Sequence, residues 1–508
     1  MRTMLFFSSL IFIITISGVC CYANGSTENS NNFFSENIVQ PDKQNHGHQN
    51  QGEFHDHPED HAEDAGHHSI EPAGWAVVPF VLLLLMIATG PLFYEHFWHK
   101  NYPVIAIVLA ILVVSYYVFV LHNTHSPVHS LAEYVQFISL LASLYVASGG
   151  IVINVDKKST PFVNTGILIF GAVIANIIGT TGASMLLIKP FIRVNEGRIK
   201  AYHVIFFIFI VSNIGGSLTP IGDPPLFLGY LKGVPFQWTM VHNFIPWVFG
   251  VSFLAVVFYF FDRSNKTQGS HQDEKTGRIS VGGTKNFIWL ALVIVAVFID
   301  PNVFPWVPGI SYDGTKISFI REIIMLSVVF LAYKTSDKEA MQKNSFSWEP
   351  IREVAFLFIG IFGTMMPALD LIGGFAKSGT GQEIIGISSL YWGTGVLSGF
   401  LDNAPTYLNF LAAAMSSVGV NINDTDAVFA FASNEYEDSL MFLKSISIGA
   451  VFFGAFTYIG NGPNFMVKSI AEQTGIKMPS FMGYIIRYSI PILLPLLFLT
   501  WLIFFALR

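Results

Sequence analysis

A stretch of apolar residues long enough to cross a bilayer is broken in its middle by SNIGGSLTPIGDPPLF, residues 212–227. The run AYHVIFFIFIV leads into it and LGYLKG follows. Proline removes a backbone donor and glycine is conformationally loose, so no regular helix runs through Gly215, Gly216, Pro220, Gly222, Pro224 and Pro225. Amides and carbonyls freed at bilayer depth are tolerated only inside protein or along a wet cavity. Asp223 lies inside the break, and a carboxylate at that depth marks a functional site by default.

The chain carries the pattern twice. Gly454 to Phe465 reads GAFTYIGNGPNF against GSLTPIGDPPLF from Gly216 to Phe227, with glycine, threonine, isoleucine, glycine, proline and phenylalanine in register. Asp223 is answered by Asn461. Paired apolar segments interrupted by glycine and proline in corresponding halves point to the binding site of a transporter.

Composition agrees with a membrane setting. Of 508 residues, 52% are hydrophobic and 12% charged, about half the charged share of a soluble domain. The expected class is an all-α polytopic membrane protein. No basic patch interleaved with aromatics suits nucleic acid. Cys20 and Cys21 are the only cysteines, which excludes disulfides, thiol catalysis and cysteine metal sites from the rest of the chain. No nucleophile–base pair and no His-Glu-x-x-His motif suggests an enzyme.

Residues 1–23 read as a secretory signal, with Arg2, an apolar run from Leu5 to Val19 and cleavage after Ala23; an uncleaved first helix is the alternative. Residues 24–72 are polar and cannot bury a core, so they read as a disordered periplasmic segment. Of the 15 histidines, His46, His48, His55, His57, His61, His67 and His68 fall there. Such tracts bind metal, titrate near neutrality or serve only as a solvated tail.

From Trp75 onward, spans are expected near 75–94, 102–121 and 130–153, followed by an interrupted segment at 162–191 broken at 179–184. The broken helix at 203–232 and a span at 242–262 complete the first unit, 73–262. After a loop at 263–284, the second unit, 285–508, repeats the order. Its spans lie at 285–300, 318–335 and 350–372, its interrupted segment at 383–415 (broken at 401–406), its broken helix at 440–472 and its last span at 482–506. If each interrupted segment is a re-entrant hairpin, each unit has five crossings, an odd number, and the two repeats are inverted. Lysines and arginines crowd the loops on one side, while only Lys232, Lys316 and Lys377 fall on the other. The positive-inside rule then puts the loop at 263–284 in the cytoplasm and both termini on the periplasmic side.

Hairpin tips and helix breaks would meet near the midplane, and their side chains are rich in oxygen. The first hairpin offers Asn176, Thr180, Thr181 and Ser184, the second Asp402, Asn403 and Thr406. The first break adds Ser212, Asn213, Ser217, Thr219 and Asp223, the second Thr457, Asn461 and Asn464. Carboxylates, hydroxyls and carbonyls suit a hard cation. Asp402 and Asp223 are the central candidates, because a carboxylate in low dielectric can hold either a proton or a metal ion. No Arg or Lys lies in either tip or either break, which favours a cation over an anion. Asp223 followed by Pro224 is also good cap-then-helix chemistry, Asp402 could sit in a shallow turn, and Glu133 and Glu353 could serve the dipoles of the spans they open. Asp370 is expected at the interface.

These motifs, Ala175 to Ser184, Ser212 to Gly229 and Asp402 to Thr406, resemble the NhaD-type sodium/proton antiporters of the ion-transporter superfamily, which includes arsenite permeases and dicarboxylate transporters. The similarity covers about residues 75–506. It implies an elevator-like transport domain moving against a scaffold, commonly in a homodimer, in a bacterial inner membrane. It implies exchange of cytoplasmic Na⁺ or Li⁺ for H⁺ with no further cofactor, Asp223 and Asp402 forming the site with their Asn, Ser and Thr neighbours. Na⁺-coupled uptake of a carboxylate or other anion, as in related families, is the alternative.

Overall fold

The computed structural model describes residues 72–266, 279–301, 306–312, 315–344 and 346–507. The signal reading, nearly all of the His-rich segment and much of the loop at 263–284 lie outside the described residues.

Apolar runs become helices, as a bilayer requires of any segment that must satisfy its own backbone. The first three are Val78–Phe93 (α1), Glu95–Phe119 (α2) and His125–Gly149 (α3). Then follow Pro161–Val194 (α4), Ala201–Ile210 (α5), Pro224–Lys232 (α6) and Phe236–Ser264 (α7). The second half begins with Asn286–Val297 (α8), Ile320–Thr335 (α9), Lys338–Lys343 (α10) and Glu349–Lys377 (α11). Gly379–Ile384 (α12), Ile387–Phe400 (α13), Asn403–Ser417 (α14) and Thr425–Ala432 (α15) come next. Ser439–Gly454 (α16), Gly462–Gln473 (α17) and Phe481–Ala506 (α18) close the chain. Among the described residues, 6 helices are long and apolar enough to cross a membrane.

Two departures from a purely helical chain stand out. Val152–Val155 (β1) pairs antiparallel with Ile279–Gly282 (β2), and Ile310–Tyr312 (β3) with Thr315–Ile317 (β4). The span expected at 130–153 therefore ends at Gly149, where the chain turns into a strand of β-branched residues. The span expected at 285–300 holds a helix of only 12 residues.

Both interrupted segments are hairpins. In α4 the backbone breaks at Gly179, whose φ of 77° and ψ of 156° are open to glycine. A straight helix would hold Asn164 and Asn195 about 46 Å apart, yet each donates a hydrogen bond to the other, at 2.7 and 3.0 Å. The second hairpin turns at Leu401–Asp402, between α13 and α14, and brings Gly393 against the Phe410 ring.

The first arms of the broken helices, α5 and α16, are buried almost all round, so protein rather than lipid surrounds the breaks that follow them. Around them α2 packs on α11, α3 on α9 and α11, α4 on α3 and α17, and α6 on α14. The α2–α11 crossing is close because small residues face each other. A Cβ on Gly360 would stand 2.8 Å from the Ala106 Cβ, and one on Gly363 would stand 2.6 Å from the Ala110 Cβ.

Gly222 in the first break has no room for a side chain, since a Cβ there would collide with the Gly216 carbonyl. Gly222→Ala should destabilise the detergent-solubilised protein by about 1–3 kcal/mol. Gly166→Ala, with nothing within 4 Å of the added methyl, should leave the melting temperature unchanged or slightly raised.

Candidate functional site

Asp223 occupies the residue before α6, in extended conformation (φ −142°, ψ 143°), yet its carboxylate does not cap that helix. The reason is local. Pro224 and Pro225 have no N–H to offer, and the Leu226 amide is taken by the Asp223 carbonyl at 3.1 Å. The side chain is thereby left to other elements, and 1% of the residue is exposed.

Three elements answer it. Thr180 Oγ1 from the first hairpin donates to Oδ1 at 2.8 Å. Asn461 Nδ2 from the second break donates to the same oxygen at 2.9 Å. Asn403 Nδ2 from the second hairpin donates to Oδ2 at 2.7 Å. All four discontinuous elements therefore meet on one carboxylate. Hydrogen bonds to a charged group contribute about 1.5–3 kcal/mol each, so these three offset part of what burying the charge costs. No cationic side chain pairs with Asp223 among the described residues.

The remaining candidates divide between this carboxylate and the repair of broken backbone. Asn176 donates to the Ala172 and Gly215 carbonyls and accepts from the Leu218 amide, so it braces the first break. Thr219 donates to the Asn176 carbonyl and Thr457 to the Gly399 carbonyl, each tying its break to its own half's hairpin. Ser184 pairs with Ser212 at 2.7 Å. Thr406 donates to the Asp402 carbonyl. Asp402 is half-buried and caps α14 by accepting the Ala404 amide at 3.0 Å. It makes no direct bond to Asp223, but its charge acts on that residue. Thr181 lines, together with Thr180, Leu141, Leu144, Tyr145 and Pro224, a cleft of about 20 Å³, room for about one water-sized particle.

One atom stands out. Asn403 Oδ1 is buried without a hydrogen-bond partner, although the Nδ2 of the same amide holds Asp223. A buried carbonyl oxygen with nothing to accept is destabilising by about 1–3 kcal/mol unless a ligand or a proton donor completes it.

A family model described as Putative citrate transport matches residues 69–505. The chain belongs to that family. None of the curated proteins compared with the chain matches it. Membership in the citrate-transport family makes the protein a multi-pass membrane transporter rather than an enzyme.

This member of the citrate-transport family also holds charged groups whose partners motif reading did not foresee. Lys232, counted above as a loop charge, is the last residue of α6, 4% exposed, with Nζ 2.7 Å from Glu133 Oε1. Glu133 pairs with that lysine rather than serving a helix dipole. Asp370 accepts from the Tyr117 hydroxyl at 2.7 Å. Arg198, Tyr202, His203 and Asn164 all converge on Asp262 between α4, α5 and α7. In sequence these residues sit at span ends, where ordinary loop charges also lie, and only long-range packing separates the two.

Thr180→Val removes a donor from the buried Asp223 carboxylate and should destabilise the purified protein by about 1–3 kcal/mol in thermal melts. Thr181→Val, one residue along but not a donor to Asp223, should change stability by less than about 0.5 kcal/mol.

Proposed function

We propose that the protein is a secondary active antiporter that exchanges cytoplasmic Na⁺ (or Li⁺) for H⁺ by alternating access, with Asp223 as the group for which the two ions compete. The observation that carries the reading is a buried carboxylate held only by neutral donors, with the unpartnered Asn403 Oδ1 beside it. A cation approaching Asp223 would find carboxylate, amide and hydroxyl oxygens, the donor set of a hard ion. A proton on Asp223 turns one acceptor into a donor. Asn403 suits that change, because rotating its amide would present Oδ1 where Nδ2 now donates. Proton and cation thus make opposite demands on one amide, and occupancy by both is disfavoured.

Further elements of the proposal are two inverted repeats, an elevator-like motion, a homodimer and residence in a bacterial inner membrane. Helix packing supports the repeats. If α2 corresponds to α9 and α3 to α11, then α2 on α11 and α9 on α3 are one contact made twice; so are α4 on α17 and α14 on α6. Crossed partners of this kind are what two intertwined, symmetry-related halves produce.

A second reading is cation-coupled transport of a citrate-type anion, which the family description favours. The positive ends of α6 and α17 meet at the Asn461–Asp223 hydrogen bond and could receive a carboxylate. Against it, an anion would have to enter beside Asp223 and Asp402 with no cationic side chain among the bonds that hold either.

A dye-reported proton gradient in everted vesicles separates the two. Na⁺ or Li⁺ alone should collapse the gradient in wild type. Asp223→Asn should lower the rate at least about 100-fold, and Asp402→Asn only about 10-fold, because Asp402 lacks the three-element contact. A response that requires citrate together with Na⁺ would replace the antiport reading with anion transport.

A further inference from the structure

The helix that begins beside Asp223 ends in a buried charge. Helix α6 has 9 residues and spans about 13 Å, so it transmits displacement of one end to the other. At its far end, Lys232 Nζ lies 2.7 Å from Glu133 Oε1 on α3 and donates to Asn423 Oδ1, ahead of α15, at 2.7 Å. The Lys232 and Glu133 side chains are 3% and 8% exposed. Breaking one member of such a pair leaves an uncompensated buried charge. On the same face of α3, one turn before Glu133, His129 places Nδ1 3.3 Å from the same carboxylate oxygen. Its side chain is 20% exposed, so protons reach it.

We infer that Glu133 and Lys232 are positioning residues that hold α6, and through it Asp223, and that His129 releases them on the acid side. The inference rests on the antiport reading and names a regulation of that site. Neutral His129 leaves the Glu133 carboxylate to Lys232. Protonated His129 puts a second cation against the same oxygen, and Lys232 is repelled from an already crowded pocket. Loosening α6 disturbs the geometry in which Thr180, Asn403 and Asn461 hold Asp223, so exchange slows once the pH is low enough to protonate His129.

Other groups around His129 are accounted for. Charged and titratable groups acting on it are Glu133 and His125 of its own helix and Lys232 of α6. Arg321 of α9 is bound to Glu322 and to Asp300 beyond α8, and Asp370 of α11 takes the Tyr117 hydroxyl of α2. Arg193 of α4 lies by the opposite end of α3, where it reaches Asn154. Asp424, next to Asn423, caps its own helix.

The test is the pH profile of Na⁺-driven proton flux between about pH 5 and 8, in the full-length protein. Wild type should lose flux toward the acid end. His129→Gln should keep at least about half of its maximal rate at the acid end. Glu133→Gln should lower flux about tenfold across the range, and the exchanged pair Glu133→Lys with Lys232→Glu should recover much of it with an acid limb shallower than in wild type. A His129→Gln profile identical to wild type, or a charge-exchanged pair no better than Glu133→Gln, would overturn the inference.

A second readout needs no transport. A cysteine placed at the half-buried Leu231, in a Cys20→Ser, Cys21→Ser background, should react with a polar maleimide at a rate that, divided by that of a free model thiol at the same pH, rises as pH falls, and that stays high throughout in Glu133→Gln. His129→Gln should abolish the pH dependence. If Na⁺ drives no flux in wild type but this labelling pattern holds, the exchange reading fails and the latch stands. Labelling that is independent of His129 sinks the latch alone.

Discussion

Backbone that cannot hydrogen-bond to itself at bilayer depth is the constraint on which the rest of this structure depends. Each helix break frees amides and carbonyls where lipid supplies no partner. The structure answers by folding a hairpin against each break and sewing the two together with side chains. Asn176 engages both its amide groups in this work, Thr180 lends its own backbone amide to the Gly222 carbonyl at 2.8 Å, and Asn464 holds the Gly454 and Thr457 carbonyls. Sewing brings hairpin and break into register, and the cluster around Asp223 is a consequence of that repair. Side chains with capacity left over, Asp223, Asn403, Asn461 and the Thr180 hydroxyl, are the ones that face one another.

The membrane class, the broken helices and both hairpins were legible in sequence because each arises from a local rule. Apolar length sets a crossing, and glycine with proline ends a helix. Asp223 drew attention as a carboxylate inside a break, but Asp-Pro also read as good cap chemistry; only the structure shows that its two following prolines deny it the usual capping partners. The division of labour among its neighbours was not legible. Thr180 and Thr181 are adjacent, chemically alike and line the same cleft, yet Thr180 alone donates to Asp223. Short strands β1 and β2 escaped notice because their pairing joins residues from the two halves of the chain.

Charge economy sets the Asp223 site apart from the other buried ionic groups. Asp262 has Arg198 at 2.9 Å, Arg321 has Asp300 at 2.9 Å and Glu322 at 2.7 Å, and Glu133 has Lys232. In those clusters opposite charges are paired within the protein and fasten helices to one another. Asp223 is stabilised by dipoles alone, which permits its charge to be satisfied by something that comes and goes. In the same interior, one arrangement is suited to permanence and the other to turnover.

The hydrogen bond from Asn461 to Asp223 joins residues 238 apart in the chain, and that from Asn403 joins residues 180 apart. Synthesis proceeds from the amino terminus, so the hairpin of α4, with Thr180 and the Asp262 cluster, can close while the second half is still unmade. During that interval Asp223 has a single one of its three donors. The nascent first half must therefore wait, either with the break still wet or with the carboxylate protonated, until the last broken helix emerges. Completion of the cluster around Asp223 and completion of the protein are the same event, and a chain released early carries an exposed polar seam into the bilayer, a ready mark for membrane quality control.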